Sequence, residues 1–242
     1  MSFVLEACGI EVSRGGISVL RGVSLSLRVG RVTGLLGPTG AGKTTLFEVL
    51  VGERVPDAGS VCLLGKNVEK LPLWRRARMG VGYIPQTPSV LPDLTVRENF
   101  VCYERLVKAE AKGAAYWAEM VGLECRMGVR AGSLSGGERR LLEVARSLVG
   151  RPQLLICDEP FAGIDPVGAM RVAEMLRLLA AEGIAVLLSD HHASIALRVC
   201  DEAGLLLDGK VRMWGTPSEL VSSPLVRERY LGCSMGEGEL IR

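Results

Sequence analysis

Residues 37–44 read Gly-Pro-Thr-Gly-Ala-Gly-Lys-Thr, and the segments on either side restrict what this string can be. Upstream, residues 31–36 are a short apolar run of strand type; downstream, residues 44–51 carry helical spacing and stop at Gly52. Strand, glycine-rich turn and helix in that order are the setting in which the GxxxxGK[ST] pattern holds phosphate. Glycines at 37, 40 and 42 let the backbone turn so tightly that successive N–H groups point inward, and the helix N-terminus adds partial positive charge. Lys43 is then placed to reach the β- and γ-phosphates and Thr44 to offer its hydroxyl to Mg²⁺. Pro38, Thr39, Ala41 and Thr45 complete the nucleotide-binding loop. Such a loop implies an α/β core with parallel strands and right-handed crossovers.

A second chemical site follows from Leu154-Leu155-Ile156-Cys157, a continuous apolar run expected of a parallel strand buried on both faces. It ends in Asp158-Glu159-Pro160. Carboxylates at the carboxyl end of a central strand lie where open α/β sheets bind ligands. Asp158 is read as the Mg²⁺ ligand, and Glu159 as the group that faces the γ-phosphate and polarises the attacking water. By itself this string also fits an exposed acidic turn.

The third string is Leu134-Ser135-Gly136-Gly137-Glu138, ahead of a helical stripe formed by Leu141, Leu142, Ala145, Leu148 and Val149. Ser135 and Glu138 have capping-box spacing, so this is a second helix N-terminus presenting glycine N–H groups. One triphosphate scarcely needs two such anion sites from one chain, and the economical reading is that the second serves a nucleotide held by another copy. An ordinary capped helix would read the same.

Taken together, the three strings resemble the ATP-binding-cassette (ABC) ATPases over nearly the whole chain. The resemblance implies one ABC ATPase domain, residues 1–242. Its P-loop NTPase core covers about 1–86 and 151–231 with a mostly parallel sheet and an antiparallel β flank; a helical subdomain is inserted at about 87–150, and 232–242 is a tail. It also implies ATP and Mg²⁺ as bound cofactors and a head-to-tail homodimer in which two ATP molecules lie between phosphate loops and opposing Ser135–Glu138 segments. Gln86 in YIPQ resembles the glutamine that senses Mg²⁺ and the transport partner. Ile164-Asp165 resembles the loop crossing the dimer interface, and His191 in LLSDHH the switch histidine on the γ-phosphate; His192 is a neighbour without catalytic duty. Further strings, DEPFAGIDP, SDH, GTPSEL and RERYLG, resemble the ATPases of lipopolysaccharide exporters, with those of branched-chain amino-acid importers as near relatives. A soluble ABC ATPase for iron–sulfur cluster assembly is a further alternative.

This sequence departs from that family at three points. Thr39 stands where asparagine is commonest, a small change because the backbone supplies most phosphate contacts. The aromatic expected to stack on adenine is absent, and residues 11–16 offer only Arg14. An arginine can stack through its guanidinium plane, while a solvated surface arginine fits the string equally. The span from Gln86 to Ser135 is also slightly short.

Composition narrows the remaining choices. A net charge of +2 gives no ground for broad nucleic-acid binding. The seven cysteines are scattered without a CxxC pair, and several lie in apolar strand-like runs, which points to small core residues in a reducing compartment rather than metal ligands. Residues 1–13 lack the charged start and apolar stretch of a signal peptide, and no run approaches the ~18–20 apolar residues of a membrane span. The expected location is the cytoplasmic face of the inner membrane, held there by integral permease subunits whose coupling helices dock against the ATPase. Residues 71–78 and 88–100 border that groove by resemblance, although 71–78 reads equally well as an amphipathic surface helix.

Along the rest of the chain, residues 3–8, 18–29 and 60–65 read as the antiparallel flank, and 31–36, 154–157 and 184–189 as parallel core strands. Asp165-Pro166 opens a helix that stops at Gly183. Asp208-Gly209 reads as a two-residue hairpin turn, and Thr216-Pro217-Ser218-Glu219 as another capping box.

Overall fold

The computed structural model describes residues 3–107, 112–191 and 193–231. His192, Cys233 and the predicted tail therefore lie outside the described residues. The chain opens with β1 (Phe3–Arg14), β2 (Ile17–Arg28), β3 (Val32–Leu36), α1 (Lys43–Val51), β4 (Ala58–Leu63) and β5 (Lys66–Asn67). α2 (Leu73–Arg78), β6 (Val81–Ile84), α3 (Val96–Val107), α4 (Ala114–Met120) and α5 (Gly136–Leu148) follow. The remainder is β7 (Leu154–Asp158), α6 (Pro166–Ala181), β8 (Ala185–Ser189), α7 (Ala193–Val199), β9 (Glu202–Leu207), β10 (Lys210–Gly215), α8 (Pro217–Ser222), α9 (Pro224–Val226) and a π-helical turn (Arg227–Leu231).

Two sheets form, as the alternation of residue types requires. The smaller is antiparallel in the order β2-β1-β4-β5. The larger runs β10-β9-β3-β8-β7-β6, parallel from β9 to β6, with β10 antiparallel at one edge. Its central strands β3, β7 and β8 are buried along their whole length, which explains why they read as unbroken apolar runs. On β7, Leu154 and Ile156 face the core shared with α1 and the antiparallel sheet, whereas Leu155 and Cys157 face the core shared with α5, α6 and α7. α1 is covered on most sides for this reason and can carry Leu46, Phe47, Val49 and Leu50 at zero exposure.

Turn chemistry accounts for the connections. Gly15 and Gly16 both take positive φ between β1 and β2, and so do Asp208 and Gly209 between β9 and β10, the requirement of a type I′ turn. α6 has Asp165 as N-cap, accepting from the Gly168 N–H, with Pro166 in its first turn. The capping boxes at Ser135–Glu138 and Thr216–Glu219 are both complete.

Several expectations need correction. β1 runs to Arg14 rather than ending at residue 8, because bulges near Ala7 and Ile10 let it keep pairing with β2. β6 is a short edge strand, and neither it nor α7 stands out in the apolar pattern. The segment 71–78 is not simply a surface helix: Arg76 is wholly buried, donating from Nη1 to the carbonyls of Val49 and Leu50 and from Nε to Leu71. It caps the end of α1, and burial lowers its pKa to about 10. Among the described cysteines only Cys157 and Cys200 are buried, while Cys8 and Cys125 are exposed. Among the described residues no helix is long and apolar enough to cross a membrane.

Candidate functional site

The parallel register brings the carboxyl ends of β3, β8 and β7 side by side, and the candidate residues follow those ends directly. After β3, the chain turns through Gly37, Gly40 and Gly42, all at positive φ, into α1. A Cβ on Gly37 would lie 2.3 Å from the Leu206 carbonyl oxygen, and one on Gly42 would lie 2.9 Å from Leu20 Cδ2. Gly37 is thus fixed by close approach of another strand's backbone and Gly42 by its positive φ beside the Leu20 side chain, while Gly40 faces open space. Lys43, nearly buried, folds back over the loop and donates from Nζ to the carbonyls of Gly37 (2.7 Å) and Pro38 (3.0 Å). Burial lowers its pKa, and the negative charges of Glu159, Asp158 and Asp190 oppose that.

Asp158, at the end of β7, accepts a 2.6 Å hydrogen bond from Ser189 Oγ at the end of β8 and has the Thr44 hydroxyl as a further polar neighbour. Burial raises its pKa; those hydrogen bonds counter the rise, the Glu159 charge adds to it, and Lys43 counters it. Its second oxygen, Oδ2, is buried without a hydrogen-bond partner. A buried, unpaired carboxylate oxygen is costly unless a cation completes it. Thr44, Asp158 and Gln86 all bring oxygen, the donor type a hard divalent cation takes, so these residues fit Mg²⁺.

One residue further, Glu159 takes the left-handed φ of 51° and is held there by its N–H donating to the Ser189 carbonyl (2.8 Å). Strain of this kind, on the order of 1 kcal/mol for a non-glycine residue, persists where surrounding contacts over-determine it. Glu159 Oε2 accepts from Gln86 Nε2 (2.9 Å), and His191 Nδ1 stands 3.4 Å away. Gln86, Glu159 and His191 therefore meet at one carboxylate oxygen although they lie far apart in the chain.

Ser135, Gly136, Gly137 and Glu138 sit apart from this meeting point. Ser135 Oγ accepts from the Glu138 N–H, Glu138 accepts from the Ser135 N–H and from Arg126 Nε, and Gly136 packs on Gly163 and Ile164 ahead of α6 while Gly137 packs on Gly168 in its first turn. A Cβ on Gly137 would come within 2.8 Å of Gly168 Cα. So these glycines permit close helix packing as well as offering N–H groups. Arg14 is engaged too: its Nη2 lies 2.6 Å from Glu48 Oε2, which Arg54 Nε also reaches at 2.9 Å.

Sequence reading missed a buried polar set that ties the site together. Arg140 donates to Glu143 (2.8 Å), to the Pro85 carbonyl (3.1 Å) and to the Glu159 carbonyl (3.4 Å). Glu143 in turn accepts from the Ser89 N–H and hydroxyl, and Arg146 donates to Ser89 and Asn99. α5 is consequently buried on its polar side as well as along its apolar stripe. The available signal was the Arg140, Glu143, Arg146 spacing of three, which no local motif flags. Tyr230 was also missed; its hydroxyl donates to the Asp190 carbonyl (3.0 Å), beside His191.

Comparison with known proteins agrees with this geometry. The ABC transporter family matches residues 20–162. Over 236 residues the chain is 41% identical to the lipopolysaccharide export system ATP-binding protein LptB of Acidithiobacillus ferridurans, covering 96% of this chain and 98% of that protein. LptB of Escherichia coli K12 is 37% identical over 233 residues, 94% of this chain and 97% of that one. An ATP-binding cassette of an ABC transporter, solved in its ADP conformation, superposes with a TM-score of 0.86 at 29% identity, covering 96% of this chain and 100% of that one.

Proposed function

Because this chain belongs to the ABC transporter family, as an ATP-binding and ATP-hydrolysing subunit, we propose that two copies of it drive lipopolysaccharide export from beneath an inner-membrane permease. The observation that carries the mechanism is the convergence of Gln86, Glu159 and His191 on one oxygen, next to Lys43 and Asp158. The cargo rests on the LptB relatives, which match this chain nearly end to end.

The steps follow from what each side chain offers. The N–H groups of residues 39–45 and the Lys43 ammonium take the phosphates, which compete with the Gly37 and Pro38 carbonyls for that ammonium. Asp158 Oδ2, Thr44 and Gln86 would hold Mg²⁺, which when bound neutralises charge developing on the phosphates. Glu159 orients and polarises the attacking water, and His191 reaches the γ-phosphate from the other side of the shared oxygen. Ser135, Gly136, Gly137 and Glu138 close over the triphosphate of the other copy. The closed dimer is thus selected by contacts that exist only while the γ-phosphate is present.

The permease would meet the surface formed by α3 and the segment after Gln86, where Leu91 and Leu106 are exposed. Because Gln86 also bonds Glu159, docking there is coupled to hydrolysis. Detergent extraction with the tagged chain is expected to recover a multi-spanning permease, and reconstituted vesicles to release lipopolysaccharide to an acceptor only with ATP. Recovery of soluble partners alone, or ATP-driven amino-acid uptake by the reconstituted complex, would overturn the export reading.

A further inference from the structure

The β3–β8 ladder ends at the pair Leu35–Ser189. Past it, β3 leads into the phosphate loop at Gly37 and β8 into the segment Asp190-His191. Tyr230 bridges these two exits. Its hydroxyl donates to the Asp190 carbonyl (3.0 Å) and has the Gly37 backbone N–H as a further polar neighbour. Burial raises the pKa of the phenol, so the proton it donates is held at any working pH. Toward β7, the Asp190 carboxylate accepts from the Phe161 N–H (3.0 Å) and the Ser189 carbonyl from the Glu159 N–H (2.8 Å). The exit of β8 is thus fastened to β7 by its own residues and toward β3 through Tyr230.

The segment that delivers this phenol is anchored on its own account. α8 begins with a complete capping box, and Leu220, Val221 and Val226 are buried in the core that also covers α5, α6 and α7. Arg227 Nε donates to the Val221 carbonyl (2.7 Å). Arg227–Leu231 then closes as a π-helical turn, a rare form often found at functional sites. The Tyr230 ring packs against the same core. Packing therefore holds the ring, and the hydroxyl is left to act on the two exits.

The His191 side chain is 47% exposed, so packing alone does not fix its direction. The Asp190 carbonyl belongs to the planar peptide that joins Asp190 to His191. A hydrogen bond to that oxygen sets the plane from which His191 projects. We infer that Tyr230 is a positioning residue for hydrolysis: its hydroxyl holds the Asp190–His191 peptide against the edge of the phosphate loop and so aims His191. The inference rests on His191 acting at the γ-phosphate.

The test is steady-state ATP hydrolysis by the full-length chain, in a double-mutant cycle between the two residues. Tyr230→Phe keeps the ring and removes the hydroxyl; kcat is expected to fall about tenfold, with KM for ATP within about twofold. His191→Ala should lose on the order of a hundredfold. Tyr230→Phe placed on His191→Ala should cost no more than about twofold further, because the group it positions is gone. A merely structural hydroxyl would cost the same factor in both backgrounds, and that result would overturn the inference. So would an unchanged kcat in Tyr230→Phe, or a loss carried by KM. The chain holds two histidines, so the His191 ring signal can be followed by NMR in histidine-labelled protein and identified by its loss in His191→Ala. It should shift or broaden in Tyr230→Phe, and a signal left unmoved would overturn the inference as well. Failure of the underlying reading looks different: His191→Ala would then hydrolyse ATP at the normal rate, and the inference would fall with it.

Discussion

Gln86 Nε2 donates to Glu159 Oε2 over 2.9 Å, joining the segment after β6 to the carboxylate that follows β7. His191 lies 3.4 Å from the same oxygen, so three loops on three different strands report to one atom. A displacement of the Gln86 segment cannot leave Glu159 unaffected. On this contact rests our proposal that an outside partner is coupled to hydrolysis.

Glu159→Gln keeps the hydrogen-bonding shape but removes the charge that we propose polarises water. Turnover is expected to fall on the order of 10²–10⁴-fold, with ATP affinity retained and an ATP-bound dimer accumulating. Phosphate-release kinetics with size-exclusion light scattering checks this. A variant that turns over at the normal rate would remove Glu159 from the role.

Arg140 is buried against Glu143, with side-chain exposures of 6% and 2%. Arg140→Met leaves a buried carboxylate without its cation and releases the Pro85 and Glu159 carbonyls. Removing one partner of a buried pair costs about 3–5 kcal/mol, which urea unfolding should register. Turnover should fall as well, because the backbone of Glu159 loses a tether.

Gly137→Ala would gain up to about 1 kcal/mol of helix propensity. Against that, its Cβ would sit 2.8 Å from Gly168 Cα, where backbone meets backbone. Overpacking of this kind costs about 1–3 kcal/mol. A lower Tm is the expected result, while ATP affinity of the separate chain stays as it was, since the phosphate loop is elsewhere.

Glu138 accepts from the Ser135 N–H and from Arg126, and these hydrogen bonds, the backbone one first, hold its pKa below the usual 4.5 despite some burial. A folded-state pKa below the unfolded one means stability that is present above pH 4.5 and lost as pH falls through the lowered value. Glu138→Gln should therefore cost about 0.5–1 kcal/mol at neutral pH. The gap to the unaltered chain should close in acid, as urea unfolding along a pH series would show.

Local rules made much of this fold legible. The helix starts at Ser135, Asp165 and Thr216, the Asp208-Gly209 turn and the strands 32–36 and 154–158 each follow from neighbours within a few positions. β6 escaped because four residues interrupted by Gly82 carry too little periodicity, and as an edge strand it is defined by pairing with β7. Arg140, Arg76 and Tyr230 escaped for another reason. Their partners lie 55, 27 and 40 residues away, and nothing in a linear string says that a guanidinium will be buried against a distant carbonyl. The candidate site was legible as a list of residues; that Gln86, Glu159 and His191 share one oxygen was not.

The central claim is that each pocket is finished by a second copy, and mixing defective chains tests it most directly. Chains carrying Ser135→Arg and chains carrying Lys43→Ala should each be inactive alone. In an equal mixture half of the dimers pair one with the other, and each such dimer concentrates both defects in one pocket and leaves the other intact. ATP turnover should return to roughly a quarter of the unaltered level. No recovery, with mixed dimers demonstrated by mass spectrometry and both chains folded, would contradict the account.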